Sequence, residues 1–249
     1  MSKENDAEPK IVNRRAWLKL FGAGAASGVL PLGSAAAEDS AVAGHHATHA
    51  PAVPVDEQVP VYEFLNGDEA AFVEAAVDTL IPADDVGPGA LELGVAVFID
   101  RQLNSGYGRG DRMYLQGPFM EGTPEQGYQL RMTPSELFRN GILDVNAYLR
   151  AKYKRPFDAL TNEDRIAVMT QLETGQIELP TVPTAIFFNL LYDLTMQGFF
   201  ADPLYGGNKG KASWKMIGFP GIGAMYADKI EAWRNKKYMT EPMSIQDLL

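Results

Sequence analysis

Residues 133–149 read Thr133-Pro134-Ser135-Glu136-Leu137-Phe138-Arg139-Asn140-Gly141-Ile142-Leu143-Asp144-Val145-Asn146-Ala147-Tyr148-Leu149. The first four are a helix start. Thr133 can cap, Pro134 suits the first helical position because its missing N–H has no partner there anyway, and Glu136 can close a capping box. Leu137, Ile142, Val145, Tyr148 and Leu149 then supply an apolar face. The same grammar recurs on both sides. Asn66 or Asp68 can cap a helix carrying Phe72, Val73, Ala76, Val77, Leu80 and Ile81, which Pro82 stops. Leu91, Val95, Phe98, Ile99 and Leu103 make a second stripe, ended by Asn104 to Gly110. Thr161-Asn162-Glu163-Asp164 starts another helix, with Ile166, Met169 and Leu172 inward and Gly175 at its end. Pro183-Thr184 opens one more, carrying Ile186, Phe187, Leu190, Leu191 and Leu194 to Gly198. Period-two runs of β-branched residues are absent. The pattern therefore predicts a mainly α fold: a single helical domain with long ordered loops rich in glycine and aromatic residues. Two such loops stand out, at 104–132 and 199–224, and ordered loops of that length are often functional.

Composition narrows the chemistry. Of 249 residues 46% are apolar, enough for a core, and the net charge is −10. An acidic surface repels phosphate backbones and anionic lipid, so no nucleic-acid partner is expected, and membrane association is expected only through a complex. There is no cysteine, which removes thiolate zinc sites, cysteine-ligated iron–sulfur clusters, disulfides and covalent haem attachment. The histidines are His45, His46 and His49, in one short stretch. The body after residue 50 therefore has no histidine base, and a Ser-His-Asp triad cannot be built there.

The amino-terminal segment reads as an address. Asn13-Arg14-Arg15-Ala16-Trp17-Leu18-Lys19 resembles the twin-arginine translocation motif. An apolar, Gly/Ala-rich stretch from Leu20 to Leu32 follows, short of the about 20 residues that span a bilayer. Ala35-Ala36-Ala37 then forms a small-residue cleavage pattern. Residues 1–37 are thus expected to be a twin-arginine signal peptide exported through Arg14 and Arg15, 38–60 a flexible linker, and 61–249 the helical domain. Gly22 to Gly28 superficially resembles a dinucleotide loop, but no βαβ pattern follows it. The histidine cluster suits copper or nickel, yet a linker gives it nothing to orient the imidazoles.

One constellation carries a family. Phe199-Phe200-Ala201-Asp202-Pro203-Leu204-Tyr205-Gly206-Gly207-Asn208, then Trp214 and Gly218-Phe219-Pro220-Gly221, resembles the gluconate 2-dehydrogenase subunit 3 family. Asp78-Thr79-Leu80-Ile81-Pro82-Ala83-Asp84, Gly87-Pro88-Gly89-Ala90, Tyr107-Gly108, Gly117-Pro118-Phe119 and Gly127-Tyr128-Gln129 fit the same pattern. The resemblance spans about residues 66 to 226. It implies a small subunit of a periplasmic, membrane-associated dehydrogenase. A flavoprotein large subunit would hold FAD and oxidise a sugar or sugar acid. A multihaem cytochrome c subunit would pass electrons to quinone. The small subunit would assist export and assembly and hold no cofactor. The residues agree on this point, since alcohol oxidation by a flavin needs a base and a cofactor site, and neither is legible here. A free-standing periplasmic binding or scaffold protein of the same fold is the second reading. An independent enzyme using carboxylates alone is the third.

No catalytic, cofactor or metal residues are expected on this chain. The expected partner interface is Asp202, Tyr205, Asn208, Trp214 and Phe219, with turn formation or core packing as the competing role for each. Gly207 to Ala212 lacks the spacing and hydroxyl of a phosphate loop. Asp84, Asp85 and Glu92 lack the alternation of an EF-hand, so a solvated loop is expected there rather than a calcium site.

Overall fold

The structure, a computed structural model, describes residues 61–249 apart from 121, 124 and 125. The expected signal peptide with Arg14 and Arg15, and the linker with His45, His46 and His49, lie outside the described residues. Helices run α1 (Gly67–Leu80), α2 (Val95–Asn104), α3 (Pro134–Tyr153), α4 (Asn162–Glu173), α5 (Thr184–Phe200) and the short α6 (Ala212–Ile217), with 3-10 turns between several of them. Among the described residues β pairing is limited to two isolated bridges, Asp84 with Gly87 and Gly221 with Met243.

The helix starts form as their sequences dictate. Thr133 and Glu136 make a reciprocal capping box on α3, Asn66 and Glu69 make one on α1, and Thr161 accepts from the Asp164 N–H on α4. Helix α5 packs against α2, α3 and α4, and α1 lies across the 3-10 turn Phe157–Ala159. Four buried rings tie these together. Phe72 sits 5.0 Å from Phe157 and 6.5 Å from Phe187, and Phe187 sits 6.0 Å from Phe138. Each contributes about 1.5–3 kcal/mol by burial. The close approach of α5 to α3 requires Gly141, where a Cβ would lie 2.0 Å from the Phe187 ring.

Buried polar side chains hold the irregular segments, whose backbone donors have no ladder to join. Asp100, on α2, accepts from the N–H groups of Glu63, Phe64 and Leu65, each at 2.9 Å. Asp144 accepts from the Thr181 N–H and hydroxyl, and Asn146 accepts from the Phe157 N–H. Glu69 pairs with Arg139 at 2.7 Å. The Arg139 guanidinium also lies 4.3 Å from the centre of the Phe64 ring and donates to the Phe64 carbonyl.

Three expectations are corrected. Leu91 is exposed in the turn before α2, because that helix begins only at Val95. Ile166 is exposed as well; the buried face of α4 is Val168, Met169 and Leu172. The segment 199–224 is not a continuous irregular loop. Helix α5 runs on to Phe200, and Pro203–Tyr205, Lys209–Lys211 and α6 follow as short helical turns.

Candidate functional site

The segment from Phe199 to Gly221 folds around its polar residues. Asp202 uses both carboxylate oxygens. One accepts from the Leu204 N–H at 3.0 Å and caps the turn Pro203–Tyr205; the other accepts from the Ile245 N–H at 2.7 Å. Asn208 is fully buried. Its amide donates to the Ala201 carbonyl at 2.9 Å, and its oxygen accepts from the Ser213 N–H at 3.0 Å and the Ser213 hydroxyl at 2.7 Å. Gly207 packs directly on α5, where a Cβ would lie 2.1 Å from the Gly198 carbonyl oxygen. Trp214 is buried and donates its indole N–H to the Phe200 carbonyl at 2.8 Å.

The expected interface therefore divides. Asn208 and Trp214 point inward and bond to the segment's own backbone, which favours for these two the competing role in turn and core over that of a contact surface. Asp202 is half-buried and spent on the chain's own N–H groups. Tyr205 and Phe219 face outward, 48% and 42% exposed. Leu204 and Ile217, which sequence reasoning missed, are exposed beside them in the chain. Phe219 leans edge-on against Trp214 at 5.3 Å between ring centres, so an inner ring supports an outer one.

Beyond Gly221 the chain makes an excursion whose base is closed by two bonds, Ile222 N–H to the Met243 carbonyl and Met243 N–H to the Pro220 carbonyl, both 3.0 Å. Within it Tyr238 contacts Trp233 and Tyr226 at 5.0 and 5.6 Å between ring centres. The following turn Ile245–Leu248 is tied down by Lys211, whose ammonium sits 2.7 Å from Asp247 and holds that carboxyl below its usual range. The excursion's aromatic and basic density was readable in the sequence, but it has no helical period to draw attention to it.

A second surface lies on the 104–132 side. A groove of about 1130 Å³ runs between residues 119–132 and the first half of α5, with Phe119, Tyr128, Leu130, Met132 and Ile186 among its walls. Tyr128 donates to the Met132 carbonyl at 2.6 Å, and burial, with a smaller push from Glu136, raises its hydroxyl to about 12.

The remaining carboxylates of the sequence reading serve loops. Asp84 accepts from the N–H groups of Val86 and Gly87, and Glu92 accepts from that of Gly89. Among the described residues no group of three His, Cys, Asp or Glu side chains is placed to share a metal ion. In the stretch 207–212, the Lys209 and Lys211 N–H groups bond to the Leu93 and Asn208 carbonyls; the glycine-rich stretch from Gly22 to Gly28 lies outside the described residues. What the arrangement can do is present aromatic and apolar side chains on a braced scaffold.

Searches of curated proteins and of solved structures found no match. One protein family, described as Gluconate 2-dehydrogenase subunit 3, matches residues 67–221, from the first residue of α1 to the bridge at Gly221. The match covers more than half of the chain and includes every helix described above. The chain belongs to the Gluconate 2-dehydrogenase subunit 3 family.

Proposed function

We propose that this chain is the non-catalytic small subunit of a periplasmic, flavin-dependent gluconate 2-dehydrogenase-type complex. It pairs with the flavoprotein large subunit and carries it through the twin-arginine pathway. In this reading FAD belongs to the large subunit and haem c to a multihaem cytochrome subunit, and the complex holds the chain at the inner membrane. The observation that carries the reading is the division of segment 199–221. Its acid, amide and indole groups are consumed internally, and Tyr205 and Phe219 are left facing out. Aromatic side chains on a rigid base give large contact area with few torsions to freeze.

The test is co-expression of the chain with its flavoprotein, followed by co-purification. Tyr205→Ser with Phe219→Ser removes two rings whose burial contributes about 1.5–3 kcal/mol each, so affinity for the large subunit should fall by well over tenfold. Circular dichroism should remain helical, since neither ring is in the core. A folded variant that captures the large subunit as well as the parent does would defeat the proposal. In the same system Arg14→Lys with Arg15→Lys should leave both subunits in the cytoplasm; normal appearance of both in the periplasm would remove the export role.

A further inference from the structure

The net charge of −10 is unevenly distributed. Residues 205–240 contain seven Lys or Arg (209, 211, 215, 229, 234, 236 and 237) against Asp228 and Glu231 alone. That window therefore carries +5 and the rest of the chain −15; the stretch 222–243 by itself carries four Lys or Arg against Asp228, Glu231 and Glu241, or +1. Ion pairs answer four of the seven cations: Lys211, Lys215, Lys229 and Arg234. Lys209, Lys236 and Lys237 form none of the ion pairs among the described residues; the Lys236 ammonium donates to the Ala232 carbonyl at 3.2 Å.

Large apolar side chains share this window. Ile230 and Met239 are each 61% exposed, and Trp233 is 41% exposed. Met239 lies near Gly218, and its neighbour Tyr238 contacts Trp233 and Tyr226. The arm from Ile222 to Met243 thus carries aromatic and aliphatic side chains together with Lys236 and Lys237 on a segment closed at its base by two backbone bonds.

We infer that this arm is a membrane-interface contact, whose occupant is the surface of an anionic phospholipid bilayer. Tryptophan and tyrosine settle at headgroup depth, aliphatic side chains enter the acyl boundary, and lysines meet lipid phosphates. All three kinds of side chain are present here on one short arm. No described helix is long and apolar enough to cross a membrane, so this contact is peripheral. The arm also lies beyond the stretch the family shares, which ends at Gly221. The inference goes beyond the proposed subunit role: a chain held at the membrane by its partners gains a direct hold of its own.

The experiment is flotation of the full chain with vesicles of phosphatidylglycerol mixed with phosphatidylethanolamine, and separately with vesicles of phosphatidylcholine alone. The parent chain should float with the anionic vesicles, and added salt should weaken this. Lys236→Gln with Lys237→Gln should reduce partitioning about 30-fold, at about fivefold per lysine near an anionic surface. Trp233→Ala should reduce it on both vesicle types. The amino-terminal arginines are common to all variants, so differences among them report on the arm. Circular dichroism confirms that each variant is folded. Equal flotation of the parent and the lysine variant would overturn the inference, as would absence of binding by the parent. If the lysine variant floats like the parent but loses capture of the flavoprotein, the arm is a protein interface and the inference falls. The Tyr205/Phe219 experiment reads the subunit proposal independently of all these outcomes.

Discussion

Replacing Asn208 with alanine tests whether the segment 199–221 is built from within. The side chain makes three bonds, to the Ala201 carbonyl and to the Ser213 N–H and hydroxyl. Its removal leaves the first two without that partner, the Ser213 N–H in a fully buried site and the Ala201 carbonyl in a half-buried one. Each such loss costs about 1–1.5 kcal/mol when the group stays dry. The residue also sits at φ 47°, in the left-handed region. Asparagine enters that region readily, and alanine does so at a cost of about 1 kcal/mol. The total is about 3–4 kcal/mol. With a urea slope of about 2 kcal/mol per molar, the unfolding midpoint should fall by about 1.5–2 M. Asn208→Gly separates the two contributions: it loses the same bonds but keeps the backbone freedom, so its midpoint should lie about 0.5 M above that of the alanine variant. Equilibrium urea unfolding followed by circular dichroism measures both. A midpoint for Asn208→Ala within about 0.3 M of the parent would refute the reasoning, because the bonds would then contribute nothing net.

Two further predictions rest on local geometry. Gly207→Ala places a Cβ 2.1 Å from the Gly198 carbonyl oxygen, with backbone on both sides of the clash; a loss of about 2–3 kcal/mol should lower Tm by about 6–10 °C in a calorimetric scan, and an unchanged Tm would show that the two segments separate freely. Tyr128 ionises at about 12 in the folded protein against an ordinary 10.0. Its folded value is raised, so its contribution to stability is complete below pH 10 and is lost as pH climbs to about 12; Tyr128→Phe should therefore lose less stability than the parent across that interval in alkaline unfolding curves, and parallel curves would refute the assignment.

Much of the fold was legible because helix starts are local. The box of Thr133 with Glu136 was readable and is present; at α1 the choice between Asn66 and Asp68 as cap was left open, and the structure settles it on Asn66, in a box with Glu69. The faces of α1, α3 and α5 followed from spacing, since burial repeats with the helix turn. Helix α4 was misread at Ile166 because its apolar residues do not form one clean stripe, and tertiary contacts chose Val168 in its place. The candidate site was half legible. An aromatic-rich segment can be seen in a sequence; which rings turn inward cannot, because that depends on distant carbonyls. Trp214 is buried by its bond to Phe200, fourteen residues back, and Asp202 is occupied by Ile245, forty-three residues on. The arm at 222–243 escaped notice for a related reason. Its closure depends on the bridge between Gly221 and Met243, a pairing without periodicity.

The carboxylate of Asp100 also fixes where tension enters this domain. It grips three successive N–H groups, at residues 63 to 65, just ahead of α1. Arg139 holds the Phe64 carbonyl from α3. A pull on the chain before residue 63 therefore reaches α2 and α3 before it reaches the first turn of α1. The Glu63 N–H bond takes the load first, with those of Phe64 and Leu65 behind it on the same side chain. A domain hauled from its amino-terminal side is thus gripped by its interior helices, and α1 is shielded from being peeled away.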